Sequence, residues 1–153
     1  MILYYTYKQK TKVFANAVSD VLNLPVYELI TDLNNKSDFG FIFRALKLTF
    51  TGKACPINNM PESVPSEIYV CSPIWGGRVA APVKYFLENM NLQGTRINLI
   101  LTASSPTEKY KQNAEAYLRK ISCIPGDVYL FLTSDKFMPD REVLAEQLRG
   151  VLA

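Results

Sequence analysis

Short apolar runs alternate with amphipathic segments along the whole chain. A continuous apolar run is typical of a strand buried on both faces, whereas apolar residues three or four positions apart indicate a helix with one buried side. The pattern predicts five strands, at Met1–Tyr5, Val26–Ile30, Ile68–Cys71, Ile97–Leu101 and Val128–Leu132. It also predicts five helices, at Thr11–Leu22, Phe39–Phe50, Val79–Met90, Glu108–Ile121 and Asp140–Leu152.

Strands that alternate with helices favour a parallel sheet with helices on both faces, which is a three-layer α/β sandwich. Right-handed crossovers leave few topologies, and a common five-stranded arrangement has the order 2-1-3-4-5. No internal repeat or low-complexity segment divides the 153 residues. Residues 1–153 are therefore predicted to form a single domain.

The second predicted helix carries several large apolar side chains, at Phe39, Phe43, Leu46 and Phe50. We expect these side chains to pack in the core, and a homodimer interface is the alternative. In the last helix, Asp140 is the expected N-terminal cap and Arg149 lies near the negative end of the helix dipole.

Composition excludes several kinds of chemistry. The chain has no histidine, which removes Ser-His-Asp and Cys-His catalysis. Its three cysteines are widely separated, so neither a zinc site nor a disulfide framework is expected. The net charge of +3 is not gathered into one run, which disfavours nucleic-acid binding. No apolar stretch approaches the ~18 residues of a membrane span, and a cytoplasmic protein without membrane contact is expected.

Ligands of such sheets bind beyond the carboxyl ends of the strands, where the strand order reverses. The first loop at this edge, Thr6–Thr11, leads into a helix. A helix N-terminus suits an anion, and Thr6, Lys8, Lys10 and Thr11 add hydroxyl groups and positive charge. The loop fits a phosphate, although a simple threonine cap with solvated lysines is the commoner explanation of such residues.

The second loop follows the third strand and reads Ser72-Pro73-Ile74-Trp75-Gly76-Gly77. Proline stiffens the chain, the two glycines permit close approach of a ligand, and the only tryptophan offers a broad aromatic surface. A planar aromatic ligand and an ordinary core tryptophan before a glycine turn are about equally favoured. The third loop, Thr102–Thr107, carries hydroxyl groups that fit either a polar ring edge or a helix cap.

These loops resemble those of the flavodoxin-like family, particularly its short FMN-binding members. Ile2–Tyr5 followed by Thr6 and Thr11 is similar to the family's first strand and phosphate loop, usually Ser/Thr-x-Thr-Gly-x-Thr. The run from Ser72 to Gly77, with Pro82–Leu87 behind it, is similar to the flavin-ring loop and the helix after it. One departure is that Lys8-Gln9-Lys10 replaces the central Thr-Gly-x.

The resemblance implies an FMN cofactor and a set of residues that hold it. Thr6 and Thr11 would bind the phosphate, together with the residues between them, Lys8, Gln9 and Lys10. Pro73, Ile74, Trp75, Gly76 and Gly77 would line the isoalloxazine, and Thr102 and Ser104 would lie beside it. No residue is assigned a catalytic role and no metal is expected, because the flavin would carry the chemistry.

The leading hypothesis is a flavodoxin-like FMN-dependent oxidoreductase or electron-transfer protein. Its electron donor would be NAD(P)H or a redox protein, and its acceptor a quinone-like small molecule or a protein. Electron shuttles of this family are expected to be acidic, and the charge of +3 therefore favours a reductase. The alternative is that the fold has lost FMN and serves as a regulatory module that binds a phosphate-bearing ligand, which the altered first loop favours.

Overall fold

A computed structural model of the chain describes residues 1–35, 37–133 and 140–152. The strands are β1 (Ile2–Tyr4), β2 (Val26–Glu28), β3 (Glu67–Trp75), β4 (Arg78–Val79), β5 (Arg96–Ala103) and β6 (Ile124–Leu132). The α-helices are α1 (Lys10–Leu22), α2 (Asp38–Thr51), α3 (Ala81–Asn89), α4 (Glu108–Leu118) and α5 (Arg141–Leu152), and a 3-10 turn spans Asp32–Asn35.

Five strands form one parallel sheet in the order β2-β1-β3-β5-β6. This arrangement confirms the predicted fold class and strand order, because the five strands are those expected from the apolar runs. The sixth strand, β4, is antiparallel to β3 and lies off this path. The strand order reverses between β1 and β3, so the loops that follow these strands lie at the predicted ligand edge.

The third strand is longer than predicted, and the segment expected to be a loop after Cys71 continues it as far as Trp75. Pro73 pairs with Thr102 of β5, and Trp75 pairs with Arg78 of β4. A β-hairpin therefore replaces most of the predicted second loop. The helix expected from Val79 begins at Ala81, with proline in its first turn, where the missing N–H is tolerated.

The sheet divides the core into two apolar layers. Ile2 and Tyr4 of β1 contact the layer formed with α1 and α5, whereas Leu3 belongs to the layer formed with α3 and α4. This alternation follows the two-residue period of a strand. On the first side, the Arg141 guanidinium makes two 2.6 Å hydrogen bonds to the Asp20 carboxylate and so joins α5 to α1.

Asp140 lies directly before α5, at the position predicted for the N-terminal cap. The backbone carbonyl of Asp140 accepts a hydrogen bond from the N–H of Leu144 at 2.9 Å, as expected for the residue before a helix. Arg149 lies in the last turn, as predicted.

The prediction of which side of α2 faces the core is wrong. Phe39 is 81% exposed and Phe50 is 86% exposed, and Phe43 and Leu46 also face solvent. The helix instead buries Phe41 and Ala45. Because α2 carries apolar side chains on two opposite sides, its periodicity could not identify the buried one.

None of the helices in the described ranges combines the length and the apolar character needed to cross a bilayer.

Candidate functional site

The first loop contains an unusual buried hydroxyl group. Thr6 follows β1 and is 1% exposed. Its Oγ1 has no hydrogen-bond partner, and it is the only buried side-chain nitrogen or oxygen of which this is true in the described parts of the chain. Leaving a buried polar group without a partner costs about 1–3 kcal/mol. The hydroxyl is therefore a candidate hydrogen-bond donor to a ligand at this edge.

Helix α1 begins four residues later, at Lys10. Gln9 is the N-cap residue and makes no side-chain hydrogen bond to the helix, and the first turn contains no acidic residue. The first N–H groups of a helix have no partner within the helix, and the dipole places partial positive charge there. Together with Thr6, this end of α1 has the hydrogen-bond donors of an anion site.

Between Thr6 and α1 the backbone enters the left-handed region twice. Lys8 has φ of 59° and Gln9 has φ of 62°. Glycine adopts this conformation without penalty, whereas a residue with a Cβ loses about 1–2 kcal/mol. Gln9 occupies the position of the glycine in the phosphate-loop pattern Ser/Thr-x-Thr-Gly-x-Thr that this loop resembles. Gln9 therefore has a glycine-like backbone conformation although it carries a Cβ.

Two more threonines meet beside this loop. The Oγ1 atoms of Thr11 on α1 and Thr102 on β5 are 3.2 Å apart, and both residues are buried. Because Thr102 also pairs with Pro73, three of the predicted site residues come together from three elements. Ser104 lies just beyond β5 and is exposed.

The hairpin that carries the predicted ring loop turns at Gly76 and Gly77, with φ of 55° and 79°. Two positive φ values in a two-residue turn are those of a type I′ hairpin, which explains the glycine pair. A Cβ on Gly76 would collide with Cγ2 of Thr49, and one on Gly77 would lie 3.3 Å from the ring of Tyr110. The closest neighbours of both glycines are thus side chains of this chain.

An aromatic cluster links the hairpin to the first loop. The Tyr7 ring lies parallel to Phe41 with 3.4 Å between centroids. Trp75 meets Phe41 and Tyr5 edge to face, each at 5.6 Å. Trp75 is therefore held beside the first loop, and Ile74 before it is half-buried and pairs with Val79 of β4.

A small polar group extends this cluster. The Tyr7 hydroxyl donates to the Asp38 carboxylate, and Lys8 Nζ lies 3.6 Å from the same carboxylate. The hydrogen bond from Tyr7, and then the charge of Lys8, lower the pKa of Asp38. The hydrogen bond to Asp38 likewise raises the pKa of Tyr7. Lys8 is thus directed at least partly toward a carboxylate of the protein, and Lys10 opens α1.

Sequence reasoning missed Tyr7, Asp38 and Phe41. Their contacts join the first loop to α2, and nothing in the local pattern shows which helix will cover a given loop. The hairpin could have been found, because Gly-Gly between Ile74-Trp75 and Arg78-Val79 is a recognised hairpin signal.

No protein-family profile and no curated protein sequence matches the chain. Several solved structures are similar to the chain. A candidate flavoprotein from Bacteroides uniformis has a TM-score of 0.73 at 17% identity, over 97% of this chain and 96% of that one. A flavoprotein from Lactobacillus acidophilus in complex with FMN has a TM-score of 0.62 at 19% identity, over 84% and 90%. An NADPH-quinone reductase from P. pentosaceus has a TM-score of 0.57 at 10% identity, over 99% and 95%.

At these identities the similarity demonstrates a shared fold. Flavodoxins are also among the matching structures. The chain therefore has the flavodoxin-like fold predicted from its sequence.

Proposed function

We propose that the protein binds FMN and acts as a flavodoxin-like redox protein. It would transfer electrons or hydride to a quinone-like small acceptor or to a protein partner. The observation that carries the proposal is the unpartnered buried hydroxyl of Thr6, in the loop that leads into α1, together with the absence of a side-chain cap from Gln9, the N-cap residue. The fold is shared with a flavoprotein solved in complex with FMN, which supports the same cofactor here.

The proposed phosphate site is the first loop. Backbone N–H groups at the start of α1 and the Thr6 hydroxyl would donate to the phosphate, and Thr11 would hold Thr102 in place beside it. The other loop residues assigned to this end are Lys8, Gln9 and Lys10. Lysine charge would offset phosphate charge, as a point-charge interaction rather than a bidentate one.

The proposed ring site is the hairpin next to this loop. Its residues are Pro73, Ile74, Trp75, Gly76 and Gly77, with Thr102 and Ser104 beside them. A bound flavin would supply the redox chemistry, and the protein would supply position, electrostatics and exclusion of water. The apolar surroundings of Trp75 suit that last role, because Tyr5 and Phe41 already exclude water from two of its sides.

Two roles fit an FMN protein of this fold, and a reductase is favoured over an electron shuttle. The net charge of +3 lacks the acidic field with which a shuttle would dock on basic partners. One structure of the same fold is an NADPH-quinone reductase. Oxidation of NADH or NADPH in the presence of a quinone would support a reductase. Electron delivery to a redox protein without such turnover would support a shuttle.

A homodimer and a cytoplasmic location complete the proposal. The exposed apolar side chains of α2 recur three or four positions apart and therefore share one side of the helix, at Phe39, Ile42, Phe43, Leu46 and Phe50. A second copy is the proposed occupant, because a two-fold contact lets one apolar patch cover its own equivalent.

The second candidate function is a module that binds a phosphate-bearing ligand without flavin. Two observations favour it. Lys8-Gln9-Lys10 replaces the expected Thr-Gly-x, and Thr49 and Tyr110 already contact the hairpin glycines. The Thr6 hydroxyl serves a phosphate in both functions.

The visible spectrum of the purified protein separates the two. An FMN protein would show flavin absorption as isolated or after incubation with excess FMN. A colourless protein that does not bind added FMN, but whose thermal stability rises with another phosphorylated ligand, would support the second function and contradict the first.

A further inference from the structure

A cavity of about 370 Å³ lies between the C-terminal end of α2, the β3–β4 hairpin, α3 and α4. Its volume falls within the range of small-molecule sites. Of the residues assigned to FMN, only Trp75 lines it. The cavity is therefore largely separate from the proposed phosphate loop, although the two share the hairpin.

The charged residues that line this cavity all have one sign. They are Lys53, Arg78, Lys84 and Lys120, and no carboxylate lines it within the described parts of the chain. Lys84 is engaged, because its Nζ donates to the carbonyl of Gly52 and lies 3.6 Å from Glu88. The other three make no ion pair with any described carboxylate and are exposed at the opening. Within the described ranges, no carboxylate therefore lies close enough to these three side chains to form an ion pair with them.

The remaining walls are apolar, with a few polar groups. Trp75 offers part of its ring, and Val79, Ala81 and Ala114 form a buried floor. Asn113 Nδ2 donates to the carbonyl of Gly77 at 3.2 Å and so fixes the hairpin against α4. An apolar floor below a rim of cations is complementary to a flat apolar molecule with an anionic group.

We propose that this cavity is a second ligand site, for a small organic anion with an aromatic body. The aromatic body lies on the apolar floor beside Trp75, and the anionic group meets Lys53, Arg78 and Lys120. Carboxylate, phosphate and sulfonate share this chemistry. The site does not depend on FMN, because its cations lie outside the proposed phosphate loop, although both sites use Trp75.

Fluorescence titration with 8-anilinonaphthalene-1-sulfonate tests the proposal, and N-phenyl-1-naphthylamine is the matched probe without the charge. The sulfonate should bind at one site and more tightly than the neutral probe. The variant K53Q/R78Q/K120Q should weaken sulfonate binding about tenfold and leave the neutral probe unchanged. Displacement by 1-naphthoate and by 1-naphthyl phosphate then distinguishes a carboxylate ligand from a phosphate ligand.

The matched control is R44Q/K47Q/K109Q, which removes the same formal charge from exposed residues that do not line the cavity. It should leave sulfonate binding unchanged. Equal effects of the two triple variants would overturn the proposal, since Arg44 and Lys47 flank the exposed apolar residues of α2. Ala116→Trp should block the cavity and abolish binding of both probes, and unaltered binding in this variant would also overturn the proposal.

A last measurement separates this site from FMN binding. Saturating FMN should change the affinity for 8-anilinonaphthalene-1-sulfonate by no more than about twofold. Complete displacement of this probe by FMN would show one shared site and overturn the proposal. If the protein binds no FMN, the probe titrations retain their meaning. The two proposals therefore fail independently.

Discussion

Gln9 and Thr6 are the two residues on which the proposed phosphate site depends, and each is in an unfavourable state. Gln9 holds a left-handed backbone despite its Cβ, and Thr6 buries a hydroxyl without a partner. Such costs often persist where a ligand uses the strained group. The sequence identified both residues as site candidates, but neither the conformation of Gln9 nor the burial of Thr6 could be known before the fold.

Replacing Gln9 with glycine should stabilise the protein. Glycine removes a left-handed penalty of about 1–2 kcal/mol and adds about 0.5–1 kcal/mol of backbone entropy cost. We expect Gln9→Gly to raise the free energy of unfolding in urea by about 0.5–1 kcal/mol. Gln9→Ala is the control, because it keeps the Cβ and should give no gain. Equal stability of the two variants would contradict the left-handed assignment.

The Tyr7–Asp38 hydrogen bond should be visible in the pKa of Asp38. This contact and the nearby Lys8 hold that pKa below its ordinary value. Because the folded pKa is lowered, the contact stabilises the protein above the ordinary aspartate pKa of about 3.9 and is lost as the pH falls through the folded value. Tyr7→Phe should move the pKa of Asp38 upward in a carboxyl NMR titration.

Tyr4→Phe is the matched control, because the Tyr4 hydroxyl donates to Glu28 at 2.7 Å and not to Asp38. It should leave the pKa of Asp38 unchanged. An unaltered Asp38 pKa in Tyr7→Phe would show that the hydrogen bond does not persist in solution.

At the scale of elements, the main feature is the packing of α2 on the β3–β4 hairpin. Thr49 of α2 approaches Gly76 so closely that no Cβ fits between them. The sequence predicted α2 and the glycine pair, but it placed the side of α2 that carries Phe39 and Phe50 inward, and these side chains are exposed. The error arose because the pattern of a helix does not reveal which neighbour it will contact.

A pair of glycine variants tests this packing. Gly76 and Gly94 both have positive φ, but a Cβ on Gly94 meets nothing within 4 Å. Gly94→Ala should therefore lower the free energy of unfolding by only about 1–2 kcal/mol, which is the penalty for a left-handed backbone at a residue with a Cβ. Gly76→Ala should cost a further amount of about 1–3 kcal/mol from the collision with Thr49. Urea unfolding measures both losses.

Thr49→Ser removes the Cγ2 atom that a Cβ on Gly76 would meet. When Thr49→Ser is combined with Gly76→Ala, it should restore much of the stability that Gly76→Ala loses beyond the loss in Gly94→Ala. Equal losses in the two alanine variants, or no recovery with serine, would contradict the contact between α2 and the hairpin.

At the scale of the whole molecule, the fold was predictable because each parallel strand is a nearly continuous apolar run. Ile97–Leu101 is buried throughout, including the polar Asn98, and such a strand can only be central. Alternation with helices then limited the topology to a few choices. The aromatic cluster of Tyr7, Phe41 and Trp75 was not predictable, because it depends on contacts between residues far apart in sequence.

The exposed surface of α2 gives a prediction about assembly. Sedimentation equilibrium should show a dimer, because a contiguous apolar surface gains free energy when a second copy covers it. The double variant Phe43→Ser and Phe50→Ser should be a monomer. Arg141→Gln on α5 is the control and should remain a dimer. A monomeric wild-type protein at high concentration would contradict this assignment.

The most direct test of the central claim is a flavin titration of the wild-type protein and Thr6→Val, with Thr51→Val as an exposed control. FMN should bind more tightly than riboflavin, which lacks the phosphate. A hydrogen bond to a charged group contributes about 1.5–3 kcal/mol, so Thr6→Val should weaken FMN binding about 10- to 100-fold and leave riboflavin unchanged. Absence of FMN binding, or equal affinities for FMN and riboflavin, would contradict a phosphate site at Thr6 and α1.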